Sequence, residues 1–150
     1  SDTEEEADMP TRNGSAEWRG DLQGGDGTLK VGERSYEGPY SFKSRFEEGE
    51  GTNPEELIGA AQAACYSMQL SAMLANDGHT PESVNTVAKV HLRFVDDKPA
   101  ITLIELETEG RVPGIDQGTF ESTAQAAKEA CLISRALAGV DEISLKATLL

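Results

Sequence analysis

The sequence predicts an α+β fold with antiparallel sheet. Three observations predict it. Several short segments alternate apolar and polar residues with the period of a strand. Two longer segments carry apolar residues at helical spacing. Their order along the chain is strands, helix, hairpin, helix, strand, which is not the regular alternation of a parallel α/β protein.

The elements follow in order. Residues 1–14 read as a disordered acidic tail, and 15–150 as a single domain. Ala16–Leu22 forms a first strand. The turn Gly24–Gly27 leads into Thr28–Val31. Pro39–Phe46 alternates, with Tyr40, Phe42 and Phe46 on one face and Ser41, Lys43 and Arg45 on the other. A helix then starts at Asn53 as N-cap, with Pro54 in the first helical position and Glu56 three after the cap. It runs to about Asn76 and stops at Gly78. The strand Ser83–Val95 places Thr86, Ala88, Val90, Leu92 and Phe94 on one face. Asp96–Pro99 turns it, and Ala100–Val112 returns antiparallel. A second helix is capped by Asp116 or Thr119. It aligns Phe120, Ala124, Ala127 and Cys131 on one stripe and ends at Gly139. Glu142–Leu150 is a last strand, with Ile143, Leu145, Ala147 and Leu149 inward.

Charge narrows the partners. The chain has 27 acidic against 13 basic residues, a net charge of −14, so nucleic acid and anionic membrane are excluded as partners. Five of the acids fall in the first eight residues. The acidic balance fits either adaptation to a high-salt, halophilic cytoplasm or an ordinary acidic protein. The opening SDTEEEAD lacks the basic start and apolar run of a signal peptide, and no apolar run reaches membrane-spanning length. A cytoplasmic location is expected. His79 and His91 read as solvated side chains, and no zinc spacing is present.

The first helix is unusual. Leu57, Ile58, Ala60, Ala61, Ala63, Ala64, Met68, Leu70, Met73 and Leu74 wrap most of its circumference. A helix apolar all round is buried all round, and one small domain covers only one face. The surplus predicts an intertwined homodimer.

The two cysteines sit on alanine-rich helix faces. A disulfide needs Cα atoms about 5.5 Å apart, whereas helix axes usually pack about 8–10 Å apart. Alanine faces permit the closer approach, so Cys65 and Cys131 are either a redox pair or two small buried hydrophobes. A reactive thiol needs a cation nearby. Arg45 is a candidate for that, or else a solvated arginine. Glu55 lies ten residues before Cys65, about 15 Å of helical rise. It either orients another group such as Arg45 or complements the helix dipole. Met68, Met73, Leu57 and Phe120 are either the lining of an apolar access path or plain core.

Two runs, RFEEGEGTNPEELIGAAQAACYSM and VPGIDQGTFESTAQAAKEACLIS, resemble the osmotically inducible protein C branch of the OsmC/Ohr family. The resemblance covers Ala16 to Leu150. It implies an OsmC-like fold, with antiparallel sheets around two central helices in an intertwined homodimer. It implies a thiol-dependent peroxidase that prefers organic hydroperoxides to hydrogen peroxide and acts in oxidative and osmotic stress defence. Cys65 matches the peroxidatic cysteine and Cys131 the resolving one. Arg45 matches the arginine that activates the thiolate, and Glu55 the acid that holds the arginine. No metal or other cofactor is implied, only an external dithiol reductant, lipoyl-type or similar. One departure stands out: the family's proline after the second cysteine is Leu132 here. Proline breaks a helix, so leucine predicts that the helix continues through Cys131. Two other readings stay open: a non-enzymatic ligand-binding stress dimer, and a thiol peroxide sensor.

Overall fold

A computed structural model of the chain describes residues 9–33 and 35–150. Most of the predicted tail lies outside the described residues. The chain forms two compact units, Ser1–Pro54 and Glu55–Leu150.

The first unit is a three-stranded antiparallel meander of β1 (Gly14–Arg19), β2 (Asp26–Val31) and β3 (Tyr36–Tyr40). β1 ends where Gly20 takes a positive φ of 93°. The predicted alternating strand Pro39–Phe46 is half wrong. Only its start belongs to β3, and Phe42–Phe46 is a short helix, α1. The cause is local. Ser41 Oγ accepts from the Ser44 amide at 3.1 Å, and Ser44 Oγ accepts from the Ser41 amide at 2.8 Å. This reciprocal capping box turns the chain into a helix despite the alternating pattern. Phe42 and Phe46 then meet one turn apart, with ring centroids 5.1 Å apart.

The second unit opens with α2 (Pro54–Asn76), which starts at the predicted proline. Gly78, at φ 88°, closes it, with the His79 amide donating to the Leu74 carbonyl at 2.8 Å. β4 (Ser83–Val95) and β5 (Lys98–Arg111) form an antiparallel hairpin. Its two-residue turn, Asp96–Asp97, has both φ values positive, as a tight hairpin of this twist requires. A register shift at His91/Leu92 ends the predicted inward face early. Phe94 lies beyond it and is exposed. α3 (Gln117–Ala130) and α4 (Leu132–Ala136) carry the chain across to β6 (Glu142–Leu149). β6 pairs with β5 in parallel, so this sheet is mixed, with order β4-β5-β6. The antiparallel expectation fails at this strand because a helical crossover returns the chain in its original direction.

The core of this unit lies between the sheet and the two long helices. Tyr66, Leu70 and Leu74 of α2 meet Ile104 and Leu106 of β5 and Phe120, Ala124 and Ala127 of α3. Ile143, Leu145, Ala147 and Leu149 pack inward from β6 as predicted. Gly59 lets α2 approach the sheet, since a Cβ there would stand 3.2 Å from the Ala88 carbonyl oxygen. A hydroxyl chain links the layers: Ser67 Oγ donates to Thr86 Oγ1 at 2.8 Å, and Thr86 shares a 2.9 Å bond with buried Thr108.

α2 is buried along one face only. Gly59, Gln62, Tyr66, Leu70 and Leu74 are buried. Ala60, Ala61, Ala64 and Ala72 are exposed, and Met68 is 75 % exposed. No helix among the described residues is long and apolar enough to cross a membrane.

Candidate active site

Cys65 lies midway along α2, half-buried, between the buried turn at Gln62 and Tyr66 and the exposed alanines. Its position follows from helical period alone: it borders the stripe that packs on the core.

Cys131 is fully buried and ends the stripe Phe120, Ala124, Ala127, Cys131, all at 0 % exposure. Asp116 is the cap of α3, its Oδ1 accepting from the Thr119 amide at 2.7 Å. That bond and a further one from Thr119 hold the Asp116 carboxyl below its ordinary range.

The helix does not continue through Cys131, contrary to the expectation drawn from Leu132. Cys131 has φ −62° and ψ 123°, an extended conformation between α3 and α4. Its amide still donates to the Ala127 carbonyl, and its carbonyl accepts from the Arg135 amide. One helix therefore ends and another starts on the same residue. Leu132 is 66 % exposed. A side chain in solvent has no hold on the backbone, whereas the buried sulfur gains donors at the break. No proline is required.

Those donors define the site. Both cysteines are free thiols. Burial is the largest single influence on Cys131 and pushes its thiol up. The Ser134 hydroxyl and amide, the Cys65 thiol and the Ile133 amide act against it. Together they bring Cys131 below the ordinary thiol value. The amide contacts close no regular capping hydrogen bond; their effect is that of partial positive charge facing the sulfur. The contact between the Cys65 thiol and the Cys131 sulfur puts the two predicted cysteines side by side.

Two further buried groups complete the surroundings. Tyr66 donates its hydroxyl to the Ala124 carbonyl at 2.8 Å. Burial first, and then the charge of Cys131, raises its phenol well above the ordinary value. Gln62 is fully buried and donates its amide to Ser134 Oγ at 3.0 Å, while its own Oε1 has no partner.

Arg45 lies in the first unit, on α1 rather than on a strand. Its guanidinium stands 5.2 Å from the Phe46 ring centroid. It borders a cavity of about 220 Å³ with Trp18, Leu22, Tyr40, Phe42 and Phe46. Glu55 is in the first turn of α2. Phe120 is core, and Met73 packs against the core. His91 faces Glu105 at 3.6 Å on the β4–β5 face.

Reasoning from sequence missed Gln62, Tyr66 and Ser134. A signal was present for two of them. Gln62 stands three residues before Cys65 and Ser134 three after Cys131, one helical turn in each case. They are polar residues next to a thiol in otherwise apolar runs.

Comparison with known proteins identifies the family and the fold. Residues 47–146 match the family described as OsmC-like protein. The chain is 50 % identical over 127 residues to the peroxiredoxin OsmC of Escherichia coli K12, covering 84 % of this chain and 89 % of that protein. It is 31 % identical over 98 residues to the organic hydroperoxide resistance protein of Xanthomonas axonopodis pv. citri, covering 65 % of this chain and 67 % of that one. In fold it is similar to an organic hydroperoxide resistance protein OsmC from Legionella pneumophila, with TM-score 0.69 and 22 % identity over 94 % of this chain and 98 % of that one. The OhrB protein of Bacillus subtilis gives TM-score 0.68 and 22 % identity over 92 % and 98 %. With a matching family sequence over two thirds of its length and this fold, the chain belongs to the OsmC-like protein family.

Proposed function

We propose that the chain is a two-cysteine thiol peroxidase that reduces organic hydroperoxides, and hydrogen peroxide more weakly, in oxidative and osmotic stress defence. The observation that carries this reading is the contact between two free thiols, one of them surrounded by donors that favour its thiolate.

The cycle has three steps. The Cys65 thiolate attacks the outer oxygen of the hydroperoxide. The O–O bond breaks, and the alkoxide leaves with a proton as the alcohol. Cys65 is now a sulfenic acid. The Cys131 thiolate then attacks the Cys65 sulfur. The S–O bond breaks, hydroxide leaves with a proton as water, and a Cys65–Cys131 disulfide remains. An external dithiol, lipoyl-type or similar, returns both sulfurs to thiols by exchange. Arg45 supplies the positive charge for the Cys65 thiolate and the developing oxyanion, and Glu55 holds Arg45 in place.

The chain acts as an intertwined homodimer in the cytoplasm. The exposed stripe of Ala60, Ala64, Met68 and Ala72 supports the dimer, because it is a long apolar helix face that one chain leaves uncovered.

The test is intact mass of the reduced protein after one equivalent of an organic hydroperoxide, followed by denaturation and alkylation. Loss of two hydrogens per chain, with a mapped Cys65–Cys131 peptide, is expected. Unchanged mass with both thiols open to alkylation would overturn the reading. Cys65→Ser abolishes turnover, and Cys131→Ser leaves one oxidation without efficient recycling.

A further inference from the structure

Gln62 is the only polar member of the buried face of α2 formed with Gly59, Tyr66, Leu70 and Leu74, apart from the Tyr66 hydroxyl. A buried amide is costly unless its groups are paired. Only half of this one is. Nε2 donates to Ser134 Oγ at 3.0 Å, and Oε1 is buried without a partner.

The bond has a direction, and the direction matters. A serine hydroxyl has one proton. Because Ser134 Oγ accepts from Gln62, that proton remains available to the Cys131 sulfur, which Ser134 contacts. A turned amide would draw the proton toward Oε1 and leave the sulfur without it. The groups facing Cys131 are Cys65 and Tyr66 from α2 and Ser134 from α4, none of them basic. Lys128, one turn back on α3, directs its ammonium to the Ile143 carbonyl at 2.8 Å.

We propose that Gln62 is a positioning residue: through Ser134 it readies Cys131 to attack the oxidised Cys65. This rests on the peroxidase reading above. It adds no reactant to the cycle. Cys131 supplies the electron pair that forms the S–S bond, and the S–O bond of the Cys65 sulfenic acid breaks to release water.

The test needs no peroxide, so its failure and that of the peroxidase reading are distinct. The reduced full-length protein is alkylated across pH, and each cysteine is followed by its own peptide. Ser134→Ala removes the donor and slows Cys131 alkylation about tenfold at neutral pH, with the pH profile displaced upward. Gln62→Met keeps the volume, removes the amide and slows Cys131 about threefold in the same sense. In a Ser134→Ala background, Gln62→Met adds nothing. A purely structural role predicts the opposite sign, because looser packing would expose the buried Cys131 and speed its alkylation. Unchanged or faster Cys131 alkylation in Gln62→Met overturns the proposal. So does slowing of equal size in the Ser134→Ala background. Should Gln62→Met fail to fold, Gln62→Glu keeps the shape and offers only acceptors when ionised. It predicts the larger slowing, and an unaltered Cys131 profile in that variant overturns the proposal equally.

Discussion

Tyr66→Phe removes one oxygen from the middle of the core. Tyr66 is fully buried, and its hydroxyl donates to the Ala124 carbonyl at 2.8 Å. The ring stays, so no cavity of consequence forms and the usual cost of truncation does not apply. What remains is the hydrogen bond. Stranding a buried acceptor costs about 1–3 kcal/mol. Ala124 sits inside α3, so its carbonyl keeps its intrahelical role and loses only a second partner. The cost therefore falls at the lower end, about 1 kcal/mol, or roughly 2–4 °C in melting temperature for a chain of this size. Urea unfolding of the reduced protein measures it, with the slope compared between variants to confirm that only the midpoint moves. A loss of about 3 kcal/mol or more would show that the Ala124 carbonyl has no other partner. No loss would show that the phenol–carbonyl bond does not hold the core.

Four other outcomes follow from the same structure. Cys131 has a folded thiol value below the ordinary one near 9, so its ionisation stabilises the folded state. That contribution is complete above about pH 9 and is lost as pH falls through the folded value. The stability advantage of the reduced protein over Cys131→Ala should thus grow between pH 7 and 9, and a flat difference would refute it. Gly110→Ala places a Cβ 2.3 Å from the Phe120 ring, which is fully buried and has nowhere to move. A loss of about 1–3 kcal/mol is expected in a thermal melt, and wild-type stability would refute the packing. Ser41→Ala breaks the capping box of α1 at a cost of about 1 kcal/mol locally. Faster amide exchange over Phe42–Phe46 is expected, and unchanged exchange would count against the cap. With a net charge of −14, the chain should melt higher as salt rises from millimolar to molar. A salt-independent melting curve would remove the halophilic reading.

Much of this was legible because the period of the apolar residues was consistent with the tertiary packing. The stripe Phe120, Ala124, Ala127, Cys131 and the β6 set Ile143 to Leu149 packed as their spacing predicts. Two of the misses share a cause: a few polar atoms overruled a pattern. Ser41 and Ser44 capped a helix where Tyr40, Phe42 and Phe46 alternate like a strand. At Cys131, donors around a buried sulfur broke a helix that Leu132 allowed to run on. β6 read as a strand, but its direction depended on a crossover that periodicity does not encode. The cysteine pair itself was read from alanine-rich helix faces, which fit two small buried hydrophobes as well as a redox pair. Only the packing of α2 and α3 around Tyr66 and Ala124 brought the sulfurs together.

The donors around Cys131 also bear on the electrochemistry of the pair. Hydrogen bonds that favour a thiolate belong to the reduced protein alone, since a disulfide sulfur carries no charge to attract them. Stabilising the reduced partner of a couple raises its reduction potential, by about 30 mV for each 1.4 kcal/mol. In the proposed cycle, a Cys65–Cys131 disulfide closed beside the Ser134 hydroxyl and the amides of α4 would be easier to reduce than the same bond without those groups. The atoms proposed to ready Cys131 for attack would then also make the bond it forms easier to undo.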